Sequence, residues 1–252
     1  MKNNQYNLGI VSVSFRRHAP EEILEAMREA GLTHIEWGSD SHAPYDDIKK
    51  VKEIAELQEK YGITCSSYGT YFYLGRDPID QLPGYIDAAK MLGTNILRLW
   101  CGNKCALNMT EPEKEDFIAV CREAAAIAEA RGAIFCMECH PHSFTERLED
   151  ALELMNKVNS PNFRMYWQPS HLISVEENLA YAEAIEPFTY HVHVSHLKND
   201  QRLSLHEGIE EWKEYVGKFS TPRTLLLEFM PDHQITSLKR EADALRIIVG
   251  EQ

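Results

Sequence analysis

One feature constrains this chain more than any other. A short β-rich run followed by an amphipathic stretch recurs about eight times from end to end. The strand-like runs are residues 8–14, 33–37, 63–68, 95–100, 133–138, 163–168, 189–195 and 224–228. Helical patterns fill residues 20–30, 46–61, 80–92, 111–131, 146–158, 175–185, 205–218 and 237–249. Pro20 and Pro112 stand near helix starts, and Gly31, Gly62, Gly93 and Gly132 stand just past helix ends. That asymmetry is expected, because proline lacks only an N–H that the first turn leaves unbonded, while glycine takes the left-handed conformation that stops a helix. Pro83 and Gly84 are expected to disturb the first turn of the third helix.

Regular βα alternation requires crossover helices and therefore a parallel sheet. Eight units are the number that closes into a barrel, and such barrels typically occupy about 250 residues. The chain has 252 residues and no linker or compositional break. An open doubly wound sheet is the rival, but no GxGxxG turn or Walker loop is present. The predicted fold is a single-domain α/β (β/α)₈ TIM barrel over residues 1–252. Its chemistry would sit at the C-terminal ends of the strands.

Charge narrows the function. The net charge is -13, so a nucleic-acid partner would be repelled. No apolar run approaches the roughly 18 residues of a membrane span, and residues 1–5 lack the apolar core of a signal peptide. Six cysteines in a chain of this length do not read as a disulfide framework, and a reducing cytoplasmic location is expected.

The most informative stretch is Tyr190-His191-Val192-His193-Val194-Ser195-His196. In a strand, alternation puts His191, His193 and Ser195 on one face. Two imidazoles on one face of an otherwise apolar strand point to a polar target, most often a metal ion. By the same alternation Glu138 shares a face with Cys136, Gln168 with Tyr166, and Glu228 with Leu226. Glu138, Gln168, His193 and Glu228 would then meet at one mouth, offering oxygens and one imidazole. Such a set suits Mn²⁺, Mg²⁺, Co²⁺ or Zn²⁺ rather than a thiolate-bound ion. Against this, a strand-end glutamate is ordinarily a solvated rim residue, and a lone histidine is ordinarily hydrogen-bonded in the core. His191, one layer deeper, is read as structural.

Trp37, Tyr68, Tyr71 and Trp100 end neighbouring strands and are candidate apolar walls of a substrate site, with core packing as the alternative. Glu36 and Arg98 are expected to pair inside the barrel. Arg16, Arg17, Arg76, Lys104 and Lys198 fall in loops of the same face, as phosphate contacts or simply solvated charges. Cys136 and Cys139 form a CxxC only on paper, because strand residues three apart point to opposite faces.

These residues carry a resemblance. The whole chain resembles the xylose-isomerase-like TIM-barrel superfamily, through Gly31-Leu32-Thr33-His34-Ile35-Glu36-Trp37, Glu138-Cys139-His140, Gln168-Pro169-Ser170-His171, His191-Val192-His193 and Leu227-Glu228. That superfamily includes sugar isomerases, 3-epimerases, inosose dehydratases and a DNA-repair endonuclease branch. The resemblance implies a divalent ion on Glu138, Gln168, His193 and Glu228, with His171 against substrate. Gln168 stands where the family has Asp, so weaker metal binding is expected. Asn199 replaces an arginine of some epimerases. The endonuclease branch has extra histidines where this chain has Tyr68 and Trp100.

The expected activity is sugar or sugar-phosphate isomerisation or epimerisation, with Glu138 and Glu228 removing and returning a proton beside a carbonyl through an enediolate. His171, Trp37, Trp100 and Lys198 would contact a small carbohydrate. A keto-inositol-type dehydratase is the alternative, and a barrel that binds a ligand without turnover is the non-enzymatic one. Self-association into a homo-oligomer stays open.

Overall fold

A computed structural model describes residues 6–251. Eight parallel strands close a barrel: β1 (Asn7–Val11), β2 (His34–Gly38), β3 (Thr64–Tyr73), β4 (Ile96–Trp100), β5 (Ile134–Glu138), β6 (Phe163–Trp167), β7 (Thr189–Val194) and, after a small hairpin, β10 (Thr224–Leu227). The hairpin is β8 (His196–Lys198) with β9 (Gln201–Leu203). The helices are α1 (Pro20–Ala30), α2 (Ile48–Lys60), α3 (Leu82–Met91), α4 (Glu111–Ala130), α5 (Leu148–Val158), α6 (Val175–Ile185), α7 (Ile209–Gly217) and α8 (Leu238–Val249). The barrel closes where β1 pairs with both β2 and β10. The expected (β/α)₈ TIM barrel is therefore what the chain forms.

Local chemistry explains the helix boundaries. Thr110 caps α4 by accepting from the Glu113 amide, and the Glu113 carboxylate accepts from Thr110 in return. Ser174 and Glu177 repeat this at α6. Each box satisfies amide donors that the first helical turn leaves unbonded, a contribution of about 1 kcal/mol per cap. Pro83 does not disturb α3: it sits within the first turn, where no N–H is needed, and a 3₁₀ turn at Ile79–Gln81 leads in.

The packing has two compartments. Phe135, Met137, Met165 and Trp167 are fully buried between sheet and helices. A separate cluster of Val11, Val13, Cys136, Tyr166 and Leu226 lies apart from it. The strand parity of that cluster matches the inward faces assigned above. Cys136 thus lies in one compartment and Cys139 in the other, and all six cysteines are free and buried.

Two features escaped the sequence reading. β3 is ten residues long because its register shifts against both neighbours, carrying Tyr71 and Tyr73 to the mouth. The hairpin turns on Asn199 and Asp200, both at positive φ (51° and 60°). Such a two-residue loop suits Asn and Asp, which tolerate the left-handed region. Among the described residues no helix is long and apolar enough to cross a membrane. Residues 1–5, where no signal peptide was expected, lie outside the described residues.

Candidate metal centre and active-site cavity

A cavity of about 810 Å³ opens at the C-terminal end of the barrel, with Trp100, Glu138, Gln168, His171, Lys198 and Glu228 in its wall. Glu138 ends β5, and His193 lies one residue from the end of β7. Gln168 and Glu228 each follow the last residue of a strand. The Glu228 amide donates to the Val194 carbonyl at 2.9 Å, which continues the β7–β10 ladder by one step. The chain then turns sharply. Phe229 takes a positive φ of 57°, and its amide donates to Ser14 Oγ at 2.8 Å.

Three predicted residues converge. Ligand atoms of Glu138, His193 and Glu228 all lie within 4.8 Å of one another, and all three side chains are buried. His193 Nδ1 is 3.2 Å from Glu138 Oε1 and 3.7 Å from Glu228 Oε2. Beneath them Arg98, 2% exposed, donates from Nε to Glu36 Oε1 at 2.9 Å and from Nη1 to Glu138 Oε2 at 2.6 Å. The Glu36–Arg98 pair was expected; the second bond, to Glu138, was not. No single strand's pattern contains it, because it joins side chains on adjacent strands through the reach of a long guanidinium.

The two glutamates differ. Burial alone would raise the Glu138 carboxyl, but Arg98 and then His193 outweigh it and hold it at about 2. Glu228 moves the other way: burial, then the neighbouring Glu138 and Glu36 charges, raise it above the usual carboxylate value, against the pull of His193 and Arg98. Burial would lower His193, yet the carboxylates of Glu228 and Glu36 and the contact to Glu138 lift it to about 10. Glu36, buried but held by Arg98 and His193, lies well below the ordinary range.

The group fits a divalent cation. With His193 neutral, Glu36, Glu138 and Glu228 face a single guanidinium, leaving two uncompensated negative charges in a buried space. Two carboxylates and an imidazole nitrogen are a donor set that Zn²⁺, Mn²⁺, Co²⁺ or Mg²⁺ accepts. The crowding that raises Glu228 and His193 is what a cation there would relieve.

Two expectations are corrected. Trp37 does not reach the cavity: it is fully buried on the helix side of β2, and its Nε1 donates to Gln58 Oε1 of α2 at 2.8 Å. Parity dictates this, since Glu36 points inward and its neighbour must point out. Tyr68, likewise fully buried, donates its hydroxyl to the Ala43 carbonyl. Gln168 does reach the site, with its amide beside Glu138. Its Nε2 donates to Glu138 Oε1 at 3.2 Å and to the Cys139 carbonyl at 3.0 Å. Turning the amide over would set its oxygen against that carbonyl, so Gln168 serves Glu138 as a donor.

Trp100, His171 and Lys198 line the cavity, whereas Arg16, Arg17, Arg76 and Lys104 are not part of its wall. Trp100 stacks on Tyr73 with centroids 5.1 Å apart. His171 Nε2 is 3.1 Å from Asp200 Oδ1 at the hairpin tip, and Lys198 comes from the same hairpin. Tyr71 lines it too, with Arg16 donating to its hydroxyl. His191 is structural, with Nδ1 against Tyr190 O and Nε2 against Ser66 O. Sequence reasoning missed Arg202, whose guanidinium lies 4.2 Å over the Phe229 ring. The signal for it was the Asn199-Asp200 turn, which implies a returning strand.

Comparison with known proteins agrees with this architecture. The 3-dehydroshikimate dehydratase of Bacillus anthracis is 22% identical over 211 residues, 81% of this chain and 75% of that protein. The structure of the probable 3-DHS dehydratase involved in petrobactin synthesis from Bacillus anthracis superposes with a TM-score of 0.80 at 16% identity, covering 95% of this chain and 98% of that one. The IOLI protein with a bound zinc atom superposes with a TM-score of 0.77 at 15% identity, covering 97% and 98%. A family model matches residues 24–248, from α1 through α8, and the chain belongs to the xylose isomerase-like TIM barrel family.

Proposed function

We propose that this protein is a metal-dependent enzyme that removes a proton beside the carbonyl of a small polyhydroxylated compound and then expels the neighbouring hydroxyl as water. The observation that carries this reading is the inequality of the two glutamates. Both oxygens of Glu138 are engaged, by Arg98 on one side and by Gln168 and His193 on the other. Among the described residues the Glu228 carboxylate has only a 3.7 Å contact with His193, and its surroundings raise the carboxyl. One carboxylate is a fixed charge, and the other is a base.

Glu138, His193 and Glu228 would hold the divalent ion, which when bound polarises the substrate carbonyl and acidifies the adjacent C–H. Glu228 accepts that proton, because its carboxylate, unlike that of Glu138, is not tied up by Arg98 and Gln168. The C–H electron pair becomes a C=C bond as the C–O bond at the next carbon breaks. His171, poised by Asp200, donates the proton with which the hydroxyl leaves as water. Trp100 and Tyr73 form the wall against which a ring stacks, and Lys198 neutralises an anionic substituent. The similarity, in sequence and in fold, to the 3-dehydroshikimate dehydratase of Bacillus anthracis supports this reading.

Isomerisation or epimerisation of a sugar is the second reading. It is favoured by the presence of both Glu138 and Glu228 in one cavity wall, where Glu138 would return a proton to the other face.

The test is incubation of Mn²⁺- or Zn²⁺-loaded protein in D₂O with ketoses, keto-inositols and 3-dehydroshikimate, read by mass spectrometry. Loss of water supports the dehydratase. Deuterium uptake without water loss supports the epimerase. Neither, with any substrate, leaves a binding barrel. Glu228→Gln is expected to cost roughly 10²–10⁴-fold in rate, the usual worth of a positioned base.

A further inference from the structure

Glu36 has no place in the chemistry just described, yet it is fully buried directly beneath it. Its Oε1 accepts from Arg98 Nε at 2.9 Å, and its Oε2 accepts from Ser67 Oγ at 2.9 Å. The same Oε2 lies 3.6 Å from His193 Nε2. Among the described residues that nitrogen is buried without a hydrogen-bond partner, although the opposite nitrogen of the ring faces Glu138 and Glu228. Space for the Glu36 carboxylate is reserved by a missing side chain: a Cβ on Gly69 would stand 2.5 Å from Glu36 Oε1 and 3.1 Å from Arg98 Nη2. Tyr166 packs on the His193 ring with centroids 4.9 Å apart, which opposes a ring flip.

We propose that Glu36 is a positioning residue, whose carboxylate holds the His193 proton on Nε2 when a cation displaces the Nδ1 proton that faces Glu138, so that Nδ1 is the nitrogen that ligates. An imidazole ligates through one nitrogen only while the other carries the proton, and a carboxylate behind the ring decides which. The same carboxylate holds Arg98 by Nε, which aims Nη1 at Glu138. One buried group thereby orients two of the three cation ligands. His191 cannot substitute, because its two nitrogens lie against the Tyr190 and Ser66 carbonyls and not against the cation ligands. The inference rests on the reading of Glu138, His193 and Glu228 as a cation site.

The test measures Co²⁺ and Zn²⁺ binding to the full chain by calorimetry and by the visible spectrum of bound Co²⁺. Glu36→Gln keeps size and an acceptor oxygen but removes the charge. It is expected to weaken Co²⁺ binding by about 10–100-fold, the usual effect of losing a carboxylate behind a ligating histidine, and to shift the Co²⁺ spectrum. Gly69→Ala, which displaces the carboxylate without deleting it, is expected to do the same more weakly. In the zinc-loaded native protein, ¹⁵N NMR should find the His193 proton on Nε2, a readout that needs no variant to fold. A proton on Nδ1, or a Glu36→Gln affinity within twofold of native, overturns the proposal while leaving the cation site standing. Absence of any Co²⁺ or Zn²⁺ binding to the native chain overturns both.

Discussion

Replacing Arg98 by methionine tests the charge balance on which the site depends. Arg98 is 2% exposed and pairs with Glu36 and Glu138, themselves 0% and 4% exposed. Methionine matches much of its length but strands two buried carboxylates. Removing one partner of a buried pair costs about 3–5 kcal/mol, because the remaining charge stays desolvated. At roughly 2–4 °C per kcal/mol for a chain of this size, the metal-free variant should melt about 6–20 °C below the native protein near pH 7. The loss must depend on pH. In the native protein the Glu138 carboxyl falls from its ordinary 4.5 to about 2, so its stabilisation is present above 4.5 and lost as the pH falls toward 2. In the variant burial raises both carboxyls instead, which imposes a penalty above 4.5 that vanishes below it. Both effects narrow the gap on acidification. Melting followed by circular dichroism in chelator, near pH 7 and near pH 4, measures it. An equal drop at both values would refute the argument, since lost packing, not stranded charge, would then be the cause.

Other outcomes follow from the same geometry. Zn²⁺ at about 100 times its dissociation constant should add roughly 2.7 kcal/mol to the apo-protein; an unchanged melting curve would remove the cation site. Because the carboxylates lift His193 to about 10, an entering ion must displace a proton. Metal affinity should therefore rise by about tenfold per pH unit between 6 and 8, and a flat profile in calorimetry would contradict that. Trp37→Phe should lose the hydrogen bond to Gln58, strand that acceptor and leave a small void, together about 2–4 kcal/mol of stability, and leave KM untouched. Trp100→Ala should raise KM, and equal kinetics for these two variants would contradict the placement of both residues.

How far the sequence carried depends on the range of each interaction. The barrel was legible because period-two and helical patterns are local, and alternation then pointed Glu138, His193 and Glu228 inward from three separate strands. Trp37 shows the same rule ignored: placing Glu36 inside obliged its neighbour to face α2, where Gln58 receives its indole. The Arg98–Glu138 bond was invisible because it depends on the reach of a long side chain between strands, which no one-strand pattern encodes. The β3 extension and the hairpin depended on a register shift and on two residues at positive φ. Asn199-Asp200 was a readable sign of the second, and the first left none.

The same network changes the meaning of Gln168. Counted as a ligand in place of aspartate, it removes a charge and predicts a weakened ion. Counted with all the buried ionic groups, the balance differs. Glu36, Glu138 and Glu228 against Arg98 leave two negative charges when His193 is neutral, and a divalent ion cancels them completely. An aspartate at 168 would leave one carboxylate unmatched, and it would also take from Glu138 the amide donor that now sits 3.2 Å from Oε1. Gln168→Asp should accordingly not tighten divalent binding by the margin an added anionic ligand ordinarily brings. Two terms oppose the gain: repulsion from Glu138, and burial of a further charge, both of which raise the carboxyl that must ionise. Calorimetry with Mn²⁺ on the native protein and the variant decides the matter. A Gln168→Asp affinity a hundredfold above native would show that the site lacks a charge, and that Glu36 and Arg98 form a closed pair which the cation does not feel.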